Sequence, residues 1–239
     1  FSKMTISPRK GLRVLMYHSI SENFHDDPNR IFTVSPDSFT QQIKILSSLQ
    51  NYNFIDLSKL NNYDTLNDYY IAITFDDGFK NILKTASPSL LDNEIPFTVF
   101  VISEYIKKNR KNYLNKYDLK ELSELKNVTI GSHGYSHSKL AYLKNSEIKN
   151  ELIKSKEFIE DIIGRSVDLI SYPHGSVNEE VINISKEIGF KFGFNSKATI
   201  NKNLNKPHMI NRSVILKNDN NKILKEKIVG AWDWQSLIR

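Results

Sequence analysis

At 239 residues, with 39% hydrophobic and 25% charged side chains, the chain has the size and make-up of one well-buried domain and not of a disordered segment. It has no cysteine, which excludes disulfides, thiolate metal sites and a cysteine nucleophile, so any metal must be held by His, Asp or Glu. The net charge of +6 is scattered along the chain, unlike the single stripe of a nucleic-acid binder, and no apolar run approaches the ~18 residues of a membrane helix.

Taken in order, Arg13-Val-Leu-Met-Tyr-His18 reads as a first strand with His18 at its C-terminal end. After a polar stretch from Ser21 to Asn29, Ser35 as N-cap, Pro36 and Asp37 start a helix whose apolar face is Phe39, Ile43, Leu46 and Leu49. Residues 52–70 read as a short helix plus loop. Ile71-Ala-Ile-Thr-Phe75 is a buried strand that ends in Asp76-Asp77-Gly78. Asp-Gly also suits a hairpin turn. However, apolar residues at 79, 82, 83 and 86 have helical spacing, so a helix is expected to follow, limited or kinked near its end by Pro88.

Pro96-Phe-Thr-Val-Phe-Val-Ile102 is a continuous apolar run, as in a parallel strand buried on both faces. The densest basic cluster, Lys107-Lys-Asn-Arg-Lys111, reads as a solvated face, with an anionic glycan or surface as the alternative partner. A helix over 118–125 leads to a strand Val128–Ser132 directly before His133. The clearest helix runs from Asn145 to Ile163, with Gly164 as its stop. The strand Asp168–Tyr172 is closed by Pro173-His174-Gly175, and Ser176 with Glu179 reads as the capping box of a helix ending at Gly189. Phe190–Phe194 and Met209–Leu216 are further strands, and a last helix covers 220–229. Alternating strands and helices imply a parallel sheet, and about seven strands favour a distorted (β/α) barrel over an open doubly wound sheet.

In a parallel barrel the C-terminal strand ends share one face, so His18, Asp76-Asp77, His133 with His137, and the Pro173-His174-Gly175 turn should converge. An Asp-Asp pair closing a buried strand needs a metal, a cation or several donors. His133 and His137, four residues apart, would point the same way on a helical turn. Each signal is weak alone. Together they supply two imidazoles and a carboxylate, a common ligand set for hydrolytic zinc, with the second aspartate free to act as a base.

Thr74-Phe-Asp-Asp-Gly78, His133-x-x-x-His137 and the Tyr-Pro-x-Gly turn at 172–175 resemble the polysaccharide deacetylase family, the carbohydrate esterase family 4 enzymes with a NodB-homology domain. The opening Val14-Leu-Met-Tyr-His18 is similar to the poly-N-acetylglucosamine deacetylase branch, which acts in biofilm formation. The resemblance implies a distorted (β/α) barrel over 1–239 as one NodB-homology domain. It further implies metal-dependent removal of N-acetyl groups from a hexosamine polysaccharide, with release of acetate.

By position, Asp76 would be the base, Asp77, His133 and His137 the ligands of one divalent ion, and His18 the acid that protonates the amine. The ion would be zinc, with cobalt, nickel, iron or manganese as alternatives. His208, the late histidine that would match relatives, precedes its strand and is set aside. The backbone N–H of His174 would face the oxyanion. Ser171 stands where many relatives have an arginine that orients the base, and Arg212 is the expected substitute. Trp232-Asp-Trp234 would either line the sugar site or pack at the chain end.

The expected partner is an acetylated glycan, with no nucleic acid and no membrane span, and the expected location is extracytoplasmic or in the cell envelope. An O-acetyl esterase and a catalytically silent glycan-binding domain are the rival readings.

Overall fold

The computed structural model describes residues 7–22, 27, 30–63 and 65–237. In chain order the elements begin with β1 (Gly11–Tyr17), β2 (Ser19–Ile20), β3 (Thr33–Val34), α1 (Pro36–Ser47), β4 (Asn53–Phe54), β5 (Tyr69–Phe75) and α2 (Ser87–Asp92). The middle of the chain forms β6 (Phe97–Val101), α3 (Ser103–Lys107), α4 (Lys116–Glu124), β7 (Val128–Ser132) and α5 (Asn145–Ile163). The rest forms β8 (Leu169–Ser171), α6 (Glu179–Glu187), β9 (Phe192–Phe194), β10 (Ser213–Val214) and α7 (Asn221–Val229).

The main sheet has the order β10-β1-β5-β6-β7-β8-β9, with β4 added beside β5, and every pairing in it is parallel. Its two edges are joined by one segment: Ile210 bridges Phe194 in parallel, and shortly after it Ser213 and Val214 of β10 pair Leu15 and Met16 of β1. The sheet is therefore curled into the distorted barrel that the strand-helix alternation implies.

Side chains alternate across the barrel wall as strand geometry requires. Leu12, Val14, Ala72, Phe100, Leu169, Phe194 and Ile210 form one apolar cluster inside it. Leu15, Tyr17, Ile71, Ile73, Phe75, Val99 and Val101 join the larger outer cluster against the helices. Because both faces are buried, the strands read as unbroken apolar runs. The inward parity continues just past the strand ends through Met16 to His18, Thr74 to Asp76, Phe100 to Ile102 and Gly131 to His133, and it runs from Leu169 to Ser171 at the end of β8 and from Ile210 to Arg212 ahead of β10. That register delivers the polar residues of the barrel mouth.

Several local expectations are corrected. Ser176 and Glu179 form no capping box: the Asn178 side chain caps α6 by accepting from the Val181 N–H, and Ser176 Oγ accepts from the Ala141 N–H instead. Pro173–Gly175 form a short 3₁₀ turn with Ser176 as its cap, so α6 cannot start that early. Pro88 does not limit its helix; a π-helical turn over Ile82–Ala86 runs into α2, and Pro88 lies in the first turn of α2, where a missing N–H costs least. Of the expected strand 209–216 only Ser213–Val214 is ladder, with Ile210 as a single bridge. Trp232 and Trp234 stack on each other at 6.3 Å, and Asp233 between them binds Arg13 near the start of β1 at 2.8 and 3.1 Å. This places the pair at the chain end, away from His18.

Candidate active site

A cleft of about 510 Å³ opens at the barrel mouth, and His18, Asp76, Asp77, His133, His137, His174 and Arg212 all line it. Asp77 and Gly78 both have left-handed backbone, φ 73° and 76°, which turns the chain sharply out of β5. Asp tolerates that conformation better than most residues. A side chain at Gly78 would also stand 3.0 Å from Val101 Cγ1. The turn sends the two carboxylates to different partners.

Asp76 is buried and held by Arg212 through two parallel hydrogen bonds, Nη1 to Oδ1 at 2.7 Å and Nη2 to Oδ2 at 2.8 Å. Ser171 Oγ donates to Asp76 Oδ2 at 3.1 Å and accepts from Arg212 Nη2 at 2.7 Å. Arg212 is itself pinned by Nε donating to the Asn195 carbonyl at 3.0 Å. Burial alone would raise the Asp76 pKa, but the Arg212 charge and its hydrogen bonds outweigh it and hold it well below the carboxylate range. The pairing with Arg212 thus favours the ionised form of Asp76. Ser171 and Arg212 together occupy the place beside it.

Asp77 Oδ1 lies 3.5 Å from His133 Nε2 and 3.4 Å from His137 Nε2. One ligand atom from each of the three lies within 4.8 Å of the others. The buried Oδ1 has no hydrogen-bond partner, and burial followed by the Asp76 charge pushes the Asp77 pKa up to about 7. His133 Nδ1 donates to the Ser171 carbonyl at 2.8 Å, which leaves Nε2 as a lone pair facing Asp77. Burial lowers the pKa of both histidines, with neighbouring imidazoles adding to the effect at His137. Two neutral imidazoles aimed at an orphaned carboxylate oxygen fit a divalent cation, which would satisfy all three.

The histidines do not share a helical turn. Residues 133–139 are irregular, with Gly134 at φ 72° and His137 at φ 66°. The loop is shaped by Glu151 of α5, whose carboxylate accepts from the N–H groups of Tyr135 at 3.2 Å and Ser136 at 2.9 Å, and from Ser136 Oγ at 2.8 Å. Glu151 carries no motif of its own. Its only mark in the sequence is a carboxylate on the mostly apolar buried face of α5.

His18 is half-buried, its Nδ1 has no partner, and its ring meets Phe32 at 4.7 Å. Burial lowers its pKa to about 4, with Asp76 opposing and Arg212 and His133 adding to the fall. His174 is exposed, at φ 58°, with its ring 4.4 Å from that of His137. The turn's own hydrogen bonds use the N–H groups of Gly175 and Ser176, which leaves that of His174 outside them. His208 does not line the cleft; it is buried, and its carbonyl accepts from the Tyr172 hydroxyl at 3.2 Å.

One cleft residue has no motif at all. Asp27 is 5% exposed, its Oδ2 accepts from the N–H groups of Phe32 at 2.7 Å and Thr33 at 2.9 Å, and its Oδ1 has no partner. It sits in the polar stretch after β2, where nothing in the sequence sets it apart from its neighbours.

The profile of the polysaccharide deacetylase family matches residues 63–193, more than half of the chain. The chain belongs to the polysaccharide deacetylase family. YxkH of Bacillus subtilis (strain 168) is 28% identical over 192 residues, which is 79% of this chain and 65% of that protein. The poly-β-1,6-N-acetyl-D-glucosamine N-deacetylase of Staphylococcus aureus (strain MRSA252) is 28% identical over 177 residues, 68% of this chain and 61% of the relative. The matches thus span a little under two thirds of these curated relatives. The solved structure of the Streptococcus pyogenes deacetylase PplD in complex with acetate superposes with a TM-score of 0.81 at 23% identity, over 93% of this chain and 99% of that one, which shows a shared fold.

Proposed function

We propose that this protein is a metal-dependent hydrolase that removes N-acetyl groups from a hexosamine-containing polysaccharide and releases acetate. The observation that carries the reading is the pairing, inside one cleft, of an Asp77-His133-His137 group with a second carboxylate, Asp76, clamped by Arg212. Family membership and the relative that acts on poly-β-1,6-N-acetyl-D-glucosamine support it.

Asp77, His133 and His137 would hold one divalent ion, best zinc. Bound there, it would polarise the acetamide carbonyl and acidify a water. Asp76, fixed and ionised by Arg212, is placed to accept a proton from the attacking water. As the water oxygen bonds to the carbonyl carbon, the His174 N–H faces the negative charge that develops on the carbonyl oxygen. The carbon–nitrogen bond then breaks as the proton taken up by Asp76 is passed on to His18 while His18 gives its ring proton to the departing nitrogen, so that both groups end as they began. Acetate and a free amine leave. A polymeric acetylated glycan as substrate implies work outside the cytoplasm, at the cell envelope.

The test is acetate release from N-acetylglucosamine oligomers by the purified protein, with chelator or with added Zn²⁺ or Co²⁺, beside Asp76→Asn. Chelator-sensitive release that Asp76→Asn abolishes while metal content is retained is the expected result. Release only from O-acetylated xylan would move the assignment to an ester substrate. Metal binding with no release from any acetylated glycan would overturn the reading.

A further inference from the structure

A second cavity, of about 710 Å³, continues directly from the cleft, and Ser19, Asp27, Thr33, Phe79, Arg110 and Tyr113 belong to the walls of both. Beyond these shared residues it is lined by Lys80, Lys84 and Lys111, so with Arg110 it carries four cations. Among its described lining residues the one carboxylate is Asp27, whose Oδ2 is already engaged by two backbone N–H groups. Lys80 lies 3.0 Å from Asp118, which offsets part of its charge. Lys84 and Lys111 are exposed and form no ion pair among the described residues. The basic cluster that reads in sequence as a solvated face is, at Arg110 and Lys111, the wall of a groove.

That wall is tied to the candidate active site. The Lys80 N–H donates to the Asn112 carbonyl at 2.8 Å and the Leu114 N–H to the Gly78 carbonyl at 2.9 Å, so the basic loop is bonded to the chain directly after Asp77. Phe79 and Tyr113 pair across this junction and stack at 4.8 Å. The Arg110 guanidinium lies over Tyr105 at 4.2 Å and Tyr113 at 4.9 Å. Asn109 and Asn112, with φ 47° and 70°, fold the loop tightly around Arg110 and Lys111. Cations in a concave, aromatic-floored groove concentrate field on whatever lies in it.

We propose that this groove is a distal subsite for an anionic segment of the glycan, a sugar that bears a carboxylate or a phosphate close to the N-acetylhexosamine being deacetylated. The proposal rests on the deacetylase reading for the reaction but on the groove alone for the charge preference. A neutral polymer gains nothing from the charges of Lys84 and Lys111, and a glucosamine product, once cationic, is repelled by them, which favours its release.

The test compares three tetrasaccharides: a neutral N-acetylglucosamine oligomer, a peptide-free peptidoglycan fragment with lactyl carboxylates, and an N-acetylglucosamine oligomer bearing a phosphate ester. With the zinc-loaded protein, kcat/KM for at least one anionic substrate should exceed the neutral one about tenfold, mainly through KM. The excess should shrink as salt rises from ~0.05 M to ~0.5 M. Which anionic arm is preferred tells carboxylate from phosphate. In Lys84→Glu/Lys111→Glu, shown to be folded by an unchanged melting transition, the preference should vanish or reverse.

The binding of the same three oligomers to Asp76→Asn, with and without the two charge reversals, is measured by calorimetry. If no substrate releases acetate, the deacetylase reading falls and this binding order alone decides the groove. A neutral oligomer that binds and reacts as well as both anionic ones, or a preference that survives charge reversal, would overturn the proposal.

Discussion

Arg212 and Asp76, 136 residues apart in sequence, meet as a buried bidentate pair at 2.7 and 2.8 Å, with Ser171 Oγ bonded to both. An arginine fork matches a carboxylate in a way no lysine can. Arg212→Met should leave a buried, unpaired Asp76 and cost about 3–5 kcal/mol of stability. Arg212→Lys should cost less, and Ser171→Ala about 1 kcal/mol. Urea unfolding of the three variants checks the order; equal stability of Arg212→Met and wild type would show that the pair contributes little.

Metal removal gives a second expectation. If Asp77, His133 and His137 share one ion, Zn²⁺ at ~100 times its dissociation constant should raise unfolding free energy by about 2.7 kcal/mol. Asp77→Asn or His137→Ala should lose both this stabilisation and the bound metal, read by elemental analysis and calorimetric melting. A full thermal shift in either variant would place the ion elsewhere.

His18 is expected to matter in proportion to how poor the leaving group is. An amine must be protonated as it departs, whereas a nitrophenolate need not be. His18→Gln should therefore lower kcat on an N-acetyl oligomer by about 10²–10⁴ and leave hydrolysis of an aryl acetate much less affected. Equal losses on both substrates would remove His18 from the proton-delivery step.

Burial, and to a lesser degree Lys186, lowers the His208 pKa from 6.5 to about 4. The unfolded chain therefore binds a proton on this ring in the window between those values, and the folded chain does not. Stability must fall as pH falls through that window, by roughly 1 kcal/mol or more from this group. Melting temperature followed from pH 7 to 4 should drop less steeply in His208→Gln than in wild type.

Gly131 in β7 faces the barrel interior, where an added Cβ would meet the Phe100 ring at 2.5 Å and the Leu169 carbonyl at 3.1 Å. Gly131→Ala should cost about 1–3 kcal/mol through overpacking. Because His133 lies two residues on with the same parity, metal affinity should fall as well. A pairing of Gly131→Ala with Phe100→Leu that restores both would confirm the steric cause.

Local pattern made much of this legible. Uninterrupted apolar runs marked strands buried on both faces, and Asp76-Asp77-Gly78 and His133 to His137 stood at their ends. The Arg212 partnership carries no local signal: only the resemblance, with Ser171 where many relatives have an arginine, points to a distant cation for Asp76. The spacing of His133 and His137 suggests a helical turn that the chain does not form, since the loop depends on Glu151, 14 residues beyond His137, accepting three hydrogen bonds from it. The Ser176 cap failed for a similar reason: its hydroxyl was claimed by Ala141, 35 residues away.

The sequence by itself determined the strand-helix alternation, the parallel barrel and the residue types at its mouth, because side-chain period and burial are written locally in apolar spacing. Tertiary structure decided which of those residues meet. Inward parity brings His18, Asp76, His133 and Arg212 into one cleft, with Ser171 bonded to Asp76 and Arg212 behind it, and two hydrogen bonds seat the basic loop beside it. Asp27 and the groove of Lys84 and Lys111 are visible only there, because a cavity is a relation between distant segments and leaves no periodic trace in any of them.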